Sequence, residues 1–376
     1  MIRLFQRFAD FFRESDKVLL SLCFFTTLYG CFAVFSATHH KDSFRPVIVQ
    51  FGCMVLGLIA ALVISSFDFE RIYDKWYLIA ALGVIPVILT FFIGFAPEGT
   101  DDKAWLDLGI TTFQPSELLK ICFIVTFSLH LNRIKNNINK PRYLIPLLAH
   151  GGAPVLLIHF QGDDGTALVF GIMMLFMMWA AGLSWKYFAS AFGAAIVASP
   201  FIYFFVMNDE QRARIMLLFD IDADIKGVGY QQWLGRRALA GGGFTGQGYL
   251  KGVLTQAGTV PEGHNDFIFV GIGEEFGFLG CAAVIILLTA ICLRCIKTAK
   301  TCSNDIGKYI CIGVFAMIFA QSVINIGMCT SVLPVIGITL PFFSSGGTSL
   351  LCLYLGVGLA LNVYKHRNER NLYLRA

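Results

Sequence analysis

Long apolar blocks, bounded by charged residues, glycine or proline, run through almost the whole sequence. A helix of about 20 apolar residues crosses a bilayer core, because it satisfies its own backbone hydrogen bonds in hydrocarbon. Charged residues make up 14% of the chain, against about 25% in typical soluble domains. A soluble fold is therefore excluded, and we expect an all-α, polytopic membrane protein. Its ten predicted spans are 18–38, 47–67, 76–95, 116–131, 144–160, 166–183, 185–207, 267–292, 309–328 and 346–364.

Lysine and arginine are unevenly shared between the loops that join these blocks. With the N-terminus inside, most of them fall in inner loops, for example Arg133, Lys135, Lys140 and Arg142 between the fourth and fifth blocks. The positive-inside rule then predicts that both termini are cytoplasmic. We expect residues 1–376 to form one integral membrane domain. The formal charge of +4 is spread over the loops and does not indicate nucleic-acid binding.

Three outer segments hold most of the polar residues outside the blocks. The longest, 208–266, lies between the seventh and eighth spans, and loops of its length are usually functional or disordered. Aromatic residues such as Phe219, Tyr230 and Trp233 are interleaved with its charges, which argues against disorder. We expect short helices and ordered backbone at the outer mouth of the bundle. The other outer segments are 96–115 and 329–345.

One charged pair lies inside an apolar block. Charges at membrane depth are costly and usually face the bundle interior or a wet cavity. Glu117 and Lys120 are three residues apart, on one face of the fourth predicted helix, where they can neutralise each other. Two interpretations stay open: an ion pair that fixes helix register, or part of the lining of a cavity open to the outer leaflet.

Asp266 lies directly before the eighth block. A carboxylate at a helix start is ordinarily an N-cap, because its oxygens accept hydrogen bonds from the free amides of the first turn. His264 is two residues earlier, and Arg212 and Arg214 belong to the same long loop. In that setting Asp266 can instead be a general base beside a phosphate site. The spacing alone does not choose between these roles.

Other outer carboxylates and glycines have mainly structural interpretations. Glu274 and Glu275 are adjacent on one helix and point about 100° apart, so at most one faces any single cavity, and we expect structural contacts to a neighbouring helix. Asp163 and Asp164 are expected to be solvated caps of the sixth span. The glycine-rich segment 241–248 (GGGFTGQG) lacks a preceding strand and a following GK[ST]. It therefore fits tight turns better than a nucleotide cradle.

Three groups of residues, taken together, resemble the SEDS family (shape, elongation, division and sporulation) of bacterial wall-building membrane proteins, which includes RodA, FtsW and SpoVE. They occur in the family's order across nearly the whole chain, and the family's ten spans and long outer loop agree with the predicted arrangement. The short terminal segments look more like RodA than FtsW. The groups are 105–109 (WLDLG) with 113–120 (FQPSELLK), 261–269 (PEGHNDFIF) with 273–280 (GEEFGFLG), and 325–328 (NIGM) with 333–338 (LPVIGI) and 340–347 (LPFFSSGG).

This resemblance implies a glycosyltransferase that polymerises lipid II into peptidoglycan strands at the outer face of the bacterial cytoplasmic membrane, for elongation, division or sporulation. Asp266 matches the family's essential aspartate, with the implied role of general base. The implied cavity or substrate residues are Gln114, Glu117, Lys120, Arg212, Arg214, Gln231 and His264. The implied structural residues are Pro115, Ser116, Glu274, Glu275, Pro341, Gly346 and Gly347.

The resemblance also implies partners: a class B penicillin-binding protein that supplies the transpeptidase, and other membrane proteins of wall synthesis. The departing diphosphate needs positive charge, from Arg212, from Arg214 or from a divalent cation such as Mg²⁺ or Mn²⁺, and the sequence does not decide between them. Two alternative functions are lipid II transport and non-catalytic scaffolding of a penicillin-binding protein. A lipid II transporter is disfavoured because the inner halves of the spans are almost entirely apolar, and a non-catalytic scaffold is disfavoured because the Asp266 motif is intact.

Overall fold

Helices form nearly all of the regular structure, as the apolar blocks predict. The computed structural model describes residues 15–41, 43–67, 74–96, 102–107, 109, 112–220, 224 and 227–367. Its α-helices are α1 (Lys17–Thr38), α2 (Arg45–Ser65), α3 (Trp76–Ile93), α4 (Pro115–Ile134), α5 (Pro141–His159), α6 (Asp164–Ala180), α7 (Trp185–Phe201), α8 (Asp209–Met216), α9 (Tyr230–Gly242), α10 (Val253–Gln256), α11 (Ile268–Thr301), α12 (Asp305–Cys329) and α13 (Gly347–Lys365). Short 3₁₀ turns cover His39–Lys41 and Lys135–Asn137, and a π-helix over Ile202–Val206 continues α7.

Ten of these helices overlap the ten predicted blocks, and the all-α prediction is confirmed. Among the described residues, seven helices are long and apolar enough to cross a membrane. Those seven do not include α4, α5 and α6, since α4 carries several charges and α6 has only 17 residues. The chain is a multi-pass membrane protein, and the count of ten spans stays a prediction.

The core of the bundle lies around α4, α12 and α13, in which the largest share of residues is buried. In contrast, α7 has no buried residue. Its start is tied to the turn after α4 by two hydrogen bonds: the Ser184 amide donates to Asn139 Oδ1 at 2.7 Å, and the Tyr187 hydroxyl donates to the Asn139 carbonyl at 2.8 Å. The rest of α7 presents its side chains to the surroundings, as a lipid-facing helix does.

The end of the bundle that carries segment 208–266 is called the outer end below. That segment contains α8, α9 and α10, while residues 221–223 and 225–226 of it lie outside the described residues. Segment 96–115 contains a small antiparallel pair, β1 (Leu106–Asp107) and β2 (Thr112–Phe113), with Leu106 opposite Phe113. Its residues 97–101, 108 and 110–111 are likewise outside the described part, which includes Leu108 of the first sequence motif.

The helix α11 departs from the predicted eighth span in two ways. It continues to Thr301 instead of ending at 292, because hydropathy marks the apolar stretch and not the end of the helix. It is also broken at Gly277, whose φ of 64° and ψ of −158° are not helical. Such angles favour glycine, since a side chain there would be strained. The break separates a short outer part of α11 from the long remainder.

Candidate active site at the outer end

Asp266 lies on a turn whose backbone is held by two other parts of the chain. Three successive carbonyls of this turn accept hydrogen bonds: that of His264 from the Ser345 amide at 2.9 Å, that of Asn265 from the Ser344 hydroxyl at 2.8 Å, and that of Asp266 from Asn325 Nδ2 at 2.7 Å. Because consecutive carbonyls are anchored, the turn presents the Asp266 side chain from a fixed backbone.

The Asp266 carboxylate is not an N-cap. The N-cap of α11 is Phe267, and it makes no side-chain cap. Among the described residues, no hydrogen-bond or ion-pair partner contacts the two carboxylate oxygens of Asp266, whereas its backbone carbonyl accepts from Asn325. Gly337 lies beside the carboxylate, since a Cβ built on this glycine would be 3.6 Å from Oδ2. Burial, and then the charges of Glu262 and Asp163, raises the pKa of Asp266 from its ordinary value to about 7. A carboxyl group with that pKa exchanges protons readily near neutral pH.

Asp163 is a member of the site that the sequence did not reveal. It caps α6, as predicted, by accepting from the Thr166 amide at 2.8 Å, but it is buried and the expectation of a solvated cap is wrong. Gln114 Nε2 donates to its other oxygen at 3.1 Å. Burial raises the pKa of Asp163, with a smaller lowering from its hydrogen bond to Thr166. The charge of Asp163 raises the pKa of Asp266, which places the two carboxylates in one electrostatic neighbourhood.

Glu117 and Lys120 form a buried ion pair on α4, with Lys120 Nζ 2.8 Å from Glu117 Oε1. Their charges act on Asp163 in opposite directions. The pair therefore borders the same neighbourhood while being almost sealed from solvent. Pro115 begins α4, where its lack of an amide hydrogen has no cost. The adjacent Ser116 hydroxyl is buried without a hydrogen-bond partner in the described residues.

The two loop arginines are occupied by the protein itself. The Arg212 guanidinium donates to the carbonyls of Tyr203 at 3.0 Å and Met207 at 2.7 Å, so it closes the turn after α7. Arg214 donates to the Val335 carbonyl at 2.9 Å and pairs with Glu210 at 2.6 Å. In this conformation both guanidinium groups hold the backbone of the outer segments together, and neither is a free cation.

Two further predicted residues, Gln231 and His264, differ in how the structure uses them. Gln231 has no side-chain hydrogen bond within the described residues, whereas the neighbouring Gln232 is buried and donates to the Leu333 carbonyl at 2.8 Å. His264 lies on the Asp266 turn, and burial, followed by the charge of Lys41, lowers its pKa. Gln231 and Gln232 differ in the burial of their side chains, and the sequence does not show this difference.

Glu274 and Glu275 hold the short helix α10. Glu274 accepts from the amides of Leu254 and Thr255, each at 2.8 Å. Glu275 accepts from the Ser36 hydroxyl of α1 and from Gln256 Nε2 at 2.8 Å. Both carboxylates are buried and fully used in these contacts. Neither faces the neighbourhood of Asp266.

The glycine-rich segment 241–248 docks onto the break in α11. The amides of Gln247 and Gly248 donate to the carbonyls of Glu274 and Glu275, and the amide of Phe278 donates to the Gly243 carbonyl at 2.9 Å. These bonds replace the helical bonds lost at the break. A Cβ on Gly246 would lie 2.1 Å from the Glu275 carbonyl oxygen, so glycine is required for this approach. The segment is a packing device and not a phosphate cradle.

The third outer segment, 329–345, leads into α13 and contacts the Asp266 turn. Pro341 is buried within it. Gly346 is the N-cap of α13, with its amide 3.4 Å from Gln50 Oε1, and Gly347 begins the helix against Cys53 of α2. Asn325 links this segment to the Asp266 turn, because its Nδ2 also donates to the Ile338 carbonyl at 2.6 Å. Asn325 belonged to a motif in the sequence, but its role as an anchor depends on a contact across 59 residues.

Comparison with known proteins agrees with this arrangement. Residues 16–369 match the model of the FtsW/RodA/SpoVE family, described as cell cycle proteins. The chain is 30% identical to peptidoglycan glycosyltransferase MrdB of Escherichia coli over 355 residues, which cover 94% of each chain. It is similar to a chain from a structure described as coordination of polymerization and crosslinking by a peptidoglycan synthase complex, with 25% identity, a TM-score of 0.82, and coverage of 95% of this chain and 99% of that one. A crystal structure of Thermus thermophilus rod shape determining protein RodA has the same fold, with a TM-score of 0.70 at 23% identity and coverage of 95% and 98%.

Proposed function

The chain belongs to the FtsW/RodA/SpoVE family, and from that membership we propose that it is a peptidoglycan glycosyltransferase that polymerises lipid II at the outer face of the bacterial cytoplasmic membrane, with both termini cytoplasmic. The observation that carries the proposal is Asp266: a carboxylate without a partner among the described residues, with its pKa raised to about 7, on an anchored turn at the outer end. The outer end suits the substrate, whose lipid tail stays in the bilayer while its sugars reach water.

In the proposed reaction Asp266 accepts the proton of the attacking sugar hydroxyl. The oxygen of that hydroxyl forms a bond to the anomeric carbon of the donor, the bond to the diphosphate oxygen breaks, and its electron pair leaves with the polyprenyl diphosphate. An α-linked donor then gives a β-linked product in a single displacement. A general base works best when its pKa lies near the working pH, which is the condition that burial creates at Asp266.

The buried groups around Asp266 supply shape and charge. Asp163 is held by its hydrogen bonds to Gln114 and to the Thr166 amide. The buried Glu117–Lys120 pair borders it. We assign these residues to the cavity wall. Arg212 and Arg214 hold α8 in place, Arg212 through the Met207 carbonyl and Arg214 through the Val335 carbonyl of segment 329–345.

A divalent cation, Mg²⁺ or Mn²⁺, would be held by Asp163 together with the phosphates of the substrate, which leaves Asp266 free to accept the proton. Magnesium often takes only one or two protein carboxylates when phosphates complete its shell, and no group of three metal ligands occurs in the described part of the chain. The cation would supply positive charge to the departing diphosphate. Loss of turnover on chelation, with recovery on added Mg²⁺ or Mn²⁺, is the expected result.

We also propose a class B penicillin-binding protein as the partner, within a membrane assembly for wall synthesis. The support is the likeness to a chain of a peptidoglycan synthase complex. A RodA-like role in elongation is the finer proposal. Depletion of the protein in a rod-shaped cell, followed by rounding instead of filamentation, would support elongation over division.

The test is polymerisation of lipid II by purified full-length protein, with and without the partner. Wild type should form glycan strands, and Asp266→Asn should lose them by about a hundredfold or more, since general-base catalysis contributes about 10²–10⁴. Asp209→Asn is the matched control, because Asp209 is an exposed carboxylate on α8. Normal strands from Asp266→Asn would overturn the catalytic assignment. If wild type forms no strands even with its partner, lipid transport or scaffolding is favoured instead. Lipid transport would then be measured as movement of lipid II across the membrane of proteoliposomes.

A further inference from the structure

A cavity of about 130 Å³ lies at the outer end, between the turn that follows α1 and the turn that carries Asp266. His40 and Lys41 line it from the first turn, and Glu262, Gly263 and His264 line it from the second. It has room for several water molecules and hence for a phosphoryl group. His264 precedes Asp266 by two residues, so the cavity lies against the turn that carries the proposed base.

Lys41 supplies the positive charge that is free to bind an anion in this cavity. Lys41 is exposed, and its ammonium has no hydrogen-bond or ion-pair partner within the described ranges. The rings of His40 and His264 likewise make no hydrogen bond to described residues. Glu262 is the acidic residue of the lining, and its Oε2 already accepts from Asn265 Nδ2 at 2.6 Å. The three nitrogen-bearing side chains are therefore available to an incoming anion.

The backbone fixes one of these side chains. Gly258 lies against the ring of His40, such that a Cβ at this position would be 2.6 Å from Nε2 and Cδ2. Its φ of 63° also favours glycine. The ring of His40 therefore packs against Gly258 in the loop that leads to Asp266, and this contact joins the two turns. His40, His264 and Glu262 do not form a metal-binding group in the described structure.

The negative charge of the departing diphosphate grows as the glycosidic bond breaks, so a positioned cation is needed there. Arg212 and Arg214 are bound to backbone carbonyls, and Lys120 is bound to Glu117. Lys41 lines the cavity beside the Asp266 turn and has no partner among the described residues. Lysine is well suited to phosphate as a compact point charge.

We infer that this cavity is a diphosphate-binding subsite for the leaving group of the donor, with Lys41 as its charged ligand and the rings of His40 and His264 as its walls. The inference rests on the proposed function. It adds a residue from the first outer turn, which no sequence motif of the chain includes.

Inorganic pyrophosphate is the first probe, added to the purified full chain in detergent and followed by ³¹P line broadening. Lys41→Gln should weaken its binding by about tenfold or more, in line with a hydrogen bond to a charged group, and Lys41→Arg should retain most of it. Lys251→Gln is the charge-matched control, because Lys251 is another exposed outer lysine that does not line the cavity. Equal binding by wild type and Lys41→Gln, or no binding by wild type, would overturn the inference.

A second arm separates the diphosphate from lipid headgroups, which offer the same phosphoryl chemistry. The protein is placed in nanodiscs of phosphatidylcholine alone or with phosphatidylglycerol, and pyrophosphate binding is repeated. Pyrophosphate binding that depends on Lys41 in both membranes supports the subsite. A Lys41-dependent response to phosphatidylglycerol without pyrophosphate binding would overturn it in favour of a headgroup site.

A third arm separates this inference from the proposed function. Asp266→Asn should bind pyrophosphate as wild type does while forming no strands. Lys41→Gln should polymerise with a kcat/KM for lipid II lowered by about tenfold or more. Strands from wild type together with an unchanged kcat/KM in Lys41→Gln would refute the subsite and leave the glycosyltransferase intact.

Discussion

Asn325→Ala tests whether the position of Asp266 depends on the anchor beneath its turn. Asn325 is fully buried, and its amide donates to the carbonyls of Asp266 at 2.7 Å and Ile338 at 2.6 Å. Alanine would leave both carbonyls without this donor. Each buried polar group left unsatisfied costs about 1–3 kcal/mol, so for the two carbonyls we expect a loss of about 2–6 kcal/mol in the free energy of unfolding.

The chain offers a matched control at its inner end. Asn362 is also fully buried, and its Nδ2 bridges two carbonyls, those of Ile64 at 3.0 Å and Phe67 at 2.7 Å. Asn362→Ala should therefore lower the thermal midpoint in detergent by a similar amount. Only Asn325→Ala should also reduce polymerisation per folded molecule, by about a hundredfold, which is the effect of misplacing a reacting group by about 1 Å.

The assay compares lipid II turnover of both variants at equal amounts of folded protein, judged by gel filtration. The loss in Asn325→Ala should appear mainly in kcat, because the anchor positions the base and does not hold the substrate. Turnover equal to that of Asn362→Ala would refute the positioning argument. A normal thermal midpoint in Asn325→Ala would refute the estimate of its stability.

Three other perturbations follow from the same structure. Because Asp266 must be unprotonated to accept a proton and its pKa is raised to about 7, wild-type turnover should fall about tenfold per pH unit below that value and level off above it; a flat profile from about pH 5.5 to about pH 8 would contradict this. Breaking the buried pair singly, as Glu117→Gln or Lys120→Met, should cost about 3–5 kcal/mol, and the double variant should cost less than the sum of the two, as a thermal double-mutant cycle would show. Gly246→Ala should abolish folded protein because its Cβ meets the Glu275 carbonyl oxygen at 2.1 Å, whereas Gly152→Ala, with open space around it, should be tolerated; comparable yields of the two would argue against the docking described for the break in α11.

Much of the fold follows from short-range information. The apolar blocks are visible in windows of about 20 residues, and ten helices overlap them. The ion pair of Glu117 and Lys120 was visible as well, because a spacing of three residues brings two side chains together on any helix. The end of α11 and its break at Gly277 were not visible, since hydropathy reports burial in lipid and not the course of the backbone.

The site shows the same division more clearly. The sequence by itself determined the class of the protein and its helices, and it singled out Asp266 as the proposed base. Only the tertiary structure decided the partners of the polar residues: Asp163 is buried and acts on the pKa of Asp266, Arg214 donates to the Val335 carbonyl, and Lys41 has no partner in the described part of the chain. The physical reason is that hydropathy and helix spacing act between neighbours in the chain. A hydrogen-bond partner or a buried charge depends on which distant segments come within about 3 Å, and that is set only when the helices pack.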